Sequence, residues 1–209
     1  MADTFDFKKD RKDLYAPPTT KFVLVDVPAM TFLAVDGQGN PNTSEAYREA
    51  IDALYTVSYT AKFASKRELG RDYVVGPLEG LWYADDPAAF VSGAKDSWRW
   101  TAMIRQPDWL SPAFLEDASV IAGQKKTLPG LERLKVFPFT EGISLQILYR
   151  GPYNEEGPTL ARLHDEVMPK QGLTFNGSHH EIYLSDPRRT APEKLKTILR
   201  QPVRPISPQ

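Results

Sequence analysis

The chain has 209 residues, 41% of them apolar and 25% charged, enough to bury a substantial core in one large domain or two small fused modules. Lys plus Arg total 26 against 27 Asp plus Glu, so the formal net charge of -1 gives no electrostatic footprint for direct binding of nucleic acid or an anionic membrane. Cysteine is absent, which excludes disulfides, thiolate nucleophiles and cysteine-ligated zinc.

The leader MADTFDFKKDRKDLYAPP is charged and lacks the apolar core of a signal peptide, and no run approaches the roughly 20 apolar residues of a membrane span. The expectation is a soluble cytoplasmic protein. Next, KFVLVDVPA and TFLAVDGQG are β-branched runs that break at Pro28 and at Gly37 and Gly39, as two strands separated by a turn would. The period then changes. From Ser44 to Ser65 the residues Tyr47, Ala50, Ile51, Leu54 and Ser58 or Tyr59 recur near helical spacing, with Asn42 or Thr43 as the cap.

DYVVGPLEGLWYADD returns to strand character, DPAAF suits a short turn of helix, and DSWRWTAMIRQPDW alternates as a half-buried strand does. Ser111 before Pro112 then opens a connecting helix over about 111–127, with Phe114, Leu115, Ala118 and Ile121 on one side. TEGISLQILYRGPYN reads as strand and turn, and EEGPTLARLHDEVM as a helix with Leu160, Leu163, His164 and Val167 on one face, stopped by Pro169. GLTFNGSHHEIYLSDP reads as two strands about a turn. In TAPEKLKTILRQPV, Thr190 and Glu193 form a capping box, and Leu195, Ile198 and Leu199 predict a C-terminal helix over about 191–200.

AVDGQGNPNTSEAYREAIDALY and ILYRGPYNEEGPTLARLHDEVM each run from a strand end through a glycine turn into an amphipathic helix. The expectation is an α+β fold made of two fused strand-helix-strand-strand modules, one over about 20–107 and the other over about 135–186.

Two of the three histidines stand side by side in GSHHEIYLSDPRR. Successive strand side chains point to opposite faces, so His179 and His180 cannot share a site, whereas His179, Glu181 and Tyr183 share a face. A metal centre is therefore poorly supported, and His164 on an apolar helix face fits core packing. Glu181 beside Tyr183 is the stronger candidate, because an enclosed carboxylate either takes up a proton or awaits a cationic or polar ligand. Glu79 in GPLEGLWYADD is a second such carboxylate. Aromatic residues crowd the strands: Trp82, Tyr83, Trp98, Trp100, Phe137, Phe139, Tyr149, Tyr153 and Tyr183 suit a flat or cationic ligand, and core packing would use several of them too. Arg105, Arg188 and Arg189 are candidate anion contacts, although DPRRT also reads as a turn. GQG matches neither GxGxxG nor a P-loop, and GxSxG and HExxH are absent, so no cofactor or metal is expected.

The strings GNPNTSEAYREAIDALYTVSYTAKF, PLEGLW, WRWTAMIRQPDW and HHEIYLSDPRRTAPEKLKTILRQPV together resemble the GyrI-like small-molecule-binding family, particularly its stand-alone members, over nearly the whole chain. The resemblance implies pseudo-twofold symmetry of two modules, with a ligand cleft between them. Related domains serve as effector-binding halves of multidrug-sensing regulators, in which a glutamate among aromatics receives cationic, lipophilic drugs; the matching residue here is Glu181. Some stand-alone relatives are implicated as hydrolases that open the cyclopropane of DNA-alkylating natural products. By that resemblance Glu181 would activate water, Tyr149 or Tyr183 would polarise the conjugated carbonyl, and Trp82, Trp100 and Phe139 would hold the flat ligand, with Glu79 the second candidate base. The alternatives are a non-catalytic multidrug-sequestering module and, since some namesakes act on a topoisomerase, a protein-interaction inhibitor. Many relatives carry a second tryptophan after the position of Trp82, where this chain has Tyr83.

Overall fold

A computed structural model describes residues 4–83 and 97–206. The helical turn expected over DPAAF lies outside these residues. The chain divides into two units, residues 1–10 with 30–139 and residues 11–29 with 140–209. Strands β1 (Val23–Gln38) and β4 (Leu134–Arg150) each contribute residues to both. The unit boundaries thus fall inside these strands. β1 is also one strand of 16 residues, where two strands and a turn at Pro28 were expected. Proline fixes φ at a value extended backbone tolerates and loses only an N–H, so it need not end a strand.

In the first unit the second half of β1 pairs antiparallel with β3 (Arg99–Gln106), and β3 with β2 (Leu78–Tyr83). Between β1 and β2 runs a helix over Glu45–Ala64, whose first turn is closed by Ser44, its Oγ accepting the Tyr47 N–H at 3.2 Å. The cap is therefore one or two residues later than Asn42 or Thr43; Asn40 Oδ1 already accepts the Asn42 N–H at 3.0 Å in the preceding turn. Ala50, Ala53, Leu54, Val57 and Ala61 form the buried face of the helix. The connecting helix, Pro112–Lys125, is capped by Ser111 as expected and packs against the 45–64 helix.

Gly37 stands opposite Trp100 across the β1–β3 ladder, and a Cβ on Gly37 would lie 2.2 Å from the indole ring. The missing side chain makes room for a fully buried tryptophan, which gives Gly37 a packing role in addition to any turn.

In the second unit the latter half of β4 pairs with β7 (Lys196–Pro205), which also pairs with β6 (His179–Tyr183) and β5 (Leu173–Phe175), all antiparallel. β5 and β6 thus both pair with β7, where a strand pair about a turn was expected. A helical run over residues 157–170 brings Leu163 and Met168 against Leu145 and Val203. It passes through Pro169, the expected stop, and ends at Lys170.

The C-terminal helix expected over 191–200 is overturned. A 3-10 turn at Pro192–Lys194 leads directly into β7. Seven consecutive residues of β7 are buried, because the strand has neighbours along it and is covered on both faces; such a run shows no alternation, and Leu195, Ile198 and Leu199 fit a helical spacing by coincidence.

One face of the sheet formed by these strands carries a buried polar cluster. Arg200 donates to Glu141 at 3.1 Å, to Gln146 at 3.0 Å and to the Leu14 carbonyl at 2.7 Å, while His180 Nδ1 lies 3.0 Å from Glu141. Gln146 in turn donates to the Asp13 carbonyl at 2.7 Å. Burial by itself would raise the Glu141 pKa, but attraction and hydrogen bonding to His180 and Arg200 outweigh it and hold the carboxyl at about 2. The cluster fastens the 11–15 segment to the sheet.

Candidate functional site

The opposite face of the same sheet holds the strongest candidate residues. Tyr183 stands opposite Thr197, and Thr197 opposite Tyr149; Glu181 stands opposite Leu199, and Leu199 opposite Ile147. Directly paired residues point to one side, so Glu181, Tyr183, Thr197 and Tyr149 share a face, with the two tyrosines two strand spacings apart, about 10 Å. His180 points the other way into the polar cluster. The division of the HHEIY strand into two faces is as the alternation predicts.

Around Glu181 the geometry is close. The Tyr183 hydroxyl donates to Oε2 at 2.7 Å, and His179 Nε2 lies 3.5 Å from Oε1. Both His179 ring nitrogens are buried without a hydrogen-bond partner. The Tyr153 ring meets that of Tyr183 edge-on, centroids 5.5 Å apart. Tyr153 has its pKa pushed up to about 12, by burial first and then by the charges of Glu156, Glu181 and Asp186, so its hydroxyl remains a donor at neutral pH. Burial, then Glu156 and Glu155, also raises the Tyr149 pKa; its hydroxyl donates to the Pro152 carbonyl at 3.3 Å. Gly151 makes this approach possible, with a φ of 145° and a position where a Cβ would stand 2.6 Å from the Tyr149 oxygen. Thr197 is fully buried, with its hydroxyl oxygen unpartnered. A carboxylate with one oxygen fixed by a phenol, and further phenols within the same face, can accept a proton from water or receive a cationic or polar ligand.

From the sequence Tyr153 stood only among the aromatic residues suited to a ligand, with no assigned role, and Thr197 was no candidate. Tyr153 belongs to a loop and 3-10 turn, where no periodicity reveals facing, and Thr197 fell in the segment misread as helix. His164 packs against Phe175, centroids 4.9 Å apart, and its pKa is lowered by burial and then by proximity to His179. His164 is half-buried and Phe175 exposed, so this contact lies at the edge of the core expected to hold His164.

The remaining candidates lie in the first unit. Trp82 and Trp100 are cross-strand partners facing the 45–64 helix, where Tyr47 meets the Trp100 ring edge-on at 4.8 Å and lies 6.1 Å from Trp82. Trp100 is fully enclosed and Trp82 nearly so. Glu79, three residues before Trp82, necessarily faces the other side of β2 and is buried. Phe139 is half-buried, stacked on Phe137 at 5.5 Å and edge-on to Phe32 at 6.4 Å. The structure therefore brings Glu181, Tyr183 and Tyr149 together on one face of the second unit, and Trp82 with Trp100 on one face of the first.

Of the arginines, Arg105 is buried with its guanidinium 4.7 Å above the Phe7 ring, and Arg188 chelates Asp186 with two bonds of 3.0 Å. Among the described residues no group of three or more His, Asp or Glu side chains could hold a metal ion. No helix among them is long and apolar enough to cross a membrane.

With this α+β architecture and a carboxylate-phenol face, the class of protein is settled by comparison with known families. The GyrI-like small molecule binding domain matches residues 20–204, and the chain belongs to that family. A crystal structure of an uncharacterized conserved protein from Listeria innocua is 42% identical, with 96% of this chain and 100% of that one covered and a TM-score of 0.88. A crystal structure described as a hydrolase from Listeria innocua is 41% identical over 96% of this chain and 100% of that one, with a TM-score of 0.83. The EcmrR C-terminal domain shares the fold alone, at 8% identity and a TM-score of 0.54, over 89% of this chain and 98% of that one. No curated protein matches the chain.

Proposed function

We propose that this protein binds flat aromatic or lipophilic small molecules and hydrolyses those carrying a cyclopropane conjugated to a carbonyl, acting as a cytoplasmic detoxification enzyme. The observation that carries the reading is Glu181, fixed by Tyr183 at 2.7 Å on the face it shares with Tyr149. Membership of a small-molecule-binding family, and 41% identity to a protein described as a hydrolase, support it. In the proposed reaction Glu181 takes a proton from water as the oxygen bonds to the strained ring carbon. The ring carbon–carbon bond breaks, its electron pair moves into the conjugated carbonyl, and the resulting oxyanion takes a hydrogen bond or proton from Tyr149, the Tyr183 proton being held by Glu181. Ring strain supplies the activated electrophile. The internal duplication of two modules, with a cleft for the ligand, belongs to this proposal, as does Glu79 as the second candidate base.

A sequestering module is the second reading, favoured by the aromatic setting of Glu181, which lies beside Tyr183 and Tyr153. Mass-spectrometric detection of ring-opened, water-added product after mixing the protein with cyclopropanoid alkylators separates the two. Product in molar excess over protein supports the hydrolase. Saturable binding of aromatic cations with no product above the protein-free control supports sequestration and overturns the hydrolase.

A further inference from the structure

An aromatic ladder stands on the outer side of the 45–64 helix. Tyr55, Tyr59 and Phe63 recur every four residues, with ring centroids 6.5 and 6.3 Å apart and planes inclined by 28° and 29°. Tyr59 is 46% and Phe63 57% exposed, so large apolar rings are held in solvent at a place where helices of globular proteins normally present polar residues. None of the three belongs to the face that carries Glu181. The stripe continues with Asp52 at one end and Lys66 at the other, 48% and 62% exposed at their side chains. Asp52 is shared with Lys126, and Lys66 with Asp72, in ion pairs at the surface.

The order of these groups identifies the occupant. Tyr59 lies midway between Tyr55 and Phe63, and also midway between Asp52 and Lys66. If the same stripe of another copy is laid across it antiparallel, Tyr59 meets the partner's Tyr59, Tyr55 meets the partner's Phe63, and Asp52 meets the partner's Lys66. Within this register Lys62 falls opposite the partner's Thr56 and Arg48 opposite the partner's Gly70, so no like charges oppose each other. A stripe whose apolar centre is symmetric and whose charges reverse sign about that centre complements itself, as an isologous interface requires.

We propose that the Tyr55–Tyr59–Phe63 face of this helix is a self-docking surface, which pairs with a second copy of the chain antiparallel about Tyr59. The stripe from residue 52 to 66 is about 21 Å long. A single helix pair of this length is at the small end of specific interfaces, so the dimer is weak. The two exposed ion pairs rearrange to include the partner with little cost, since such pairs are worth little individually.

Sedimentation of the full chain from about 1 to about 500 μM tests this. The wild type is expected to pass from monomer to dimer, and Tyr59→Glu to weaken dimerisation by about tenfold or more while leaving the melting curve of this exposed position nearly unchanged. Asp52→Lys and Lys66→Asp are each expected to weaken the dimer, and the double variant to recover it, because the pair is reversed across the axis. A monomer throughout the range overturns the proposal, whatever other protein the face then binds. So does a dimer insensitive to Tyr59→Glu, or a double charge reversal that is no better than the worse single change.

Discussion

The Tyr183 hydroxyl donates to Oε2 of Glu181 across 2.7 Å, and the two residues are i and i+2 on one strand. Strand alternation alone puts them on the same face, and the hydrogen bond then fixes which carboxylate oxygen is left to act. Tyr183→Phe removes the donor and leaves the ring that packs on Tyr153. The expected result is a turnover rate lower by about tenfold or more, with the affinity for a neutral aromatic ligand little changed. Parallel measurements of rate and binding on the variant check this, and an equal loss in both would assign Tyr183 to binding alone.

Gly37→Ala drives a methyl group into the Trp100 ring, where a Cβ would lie 2.2 Å away. Neither β-strand backbone nor an enclosed indole yields cheaply, so the expected cost is about 1–3 kcal/mol, a fall in melting temperature of several degrees. Thermal unfolding followed by tryptophan fluorescence reads both the shift and the displaced ring. An unchanged midpoint would show that the ring can move aside.

The Glu141 carboxyl is held at about 2 in the folded protein, against 4.5 for the free group. Its folded pKa is depressed, so its contribution is present above pH 4.5 and is lost as pH falls from there towards 2, amounting to about 3 kcal/mol. Glu141→Gln should flatten this part of the stability–pH curve. It should also destabilise the protein at neutral pH by about 3–5 kcal/mol, because Arg200 would be left buried without its carboxylate. Urea unfolding of both proteins at stepped pH measures the two effects.

Tyr153 has the opposite sign. Its pKa rises from 10.0 to about 12, so the stabilisation linked to its protonated form is complete below pH 10 and is lost as pH climbs through 12. Spectrophotometric titration of the folded wild type against Tyr153→Phe should remove one phenol that ionises near 12. Loss of a phenol with an ordinary midpoint near 10 would contradict the placement of Tyr153 beside Glu156, Glu181 and Asp186.

How far the chain could be read depended on whether an element shows water on one side. The 45–64 helix has one buried face, and its 3.6-residue period gave it away, to within a residue or two at the cap. HHEIY alternates between two different polar environments, so His180 and Glu181 could be assigned to opposite faces before any contact was known. β7 is buried on both faces, which erased the period and let a capping-box sequence before it suggest a helix. Facing was legible even where its meaning was not. Glu79 and Trp82, three apart on a strand, had to diverge, yet a crowd of aromatics read as one pocket obscured that Trp82 and Trp100 pack together under a helix. Thr197 was lost with its strand, and Tyr153, legible as an aromatic suited to a ligand, sits in a loop whose lack of period hid which way it faces.

The central claim is that Glu181 is the base for water attack, and Glu181→Gln tests it most directly because the amide retains the shape and cannot take the proton. Turnover of a cyclopropanoid alkylator to its water-added product should fall by about 100-fold or more, while the variant still folds and binds a neutral aromatic ligand. Product formed by the variant at the wild-type rate would contradict the claim and remove Glu181 from the mechanism.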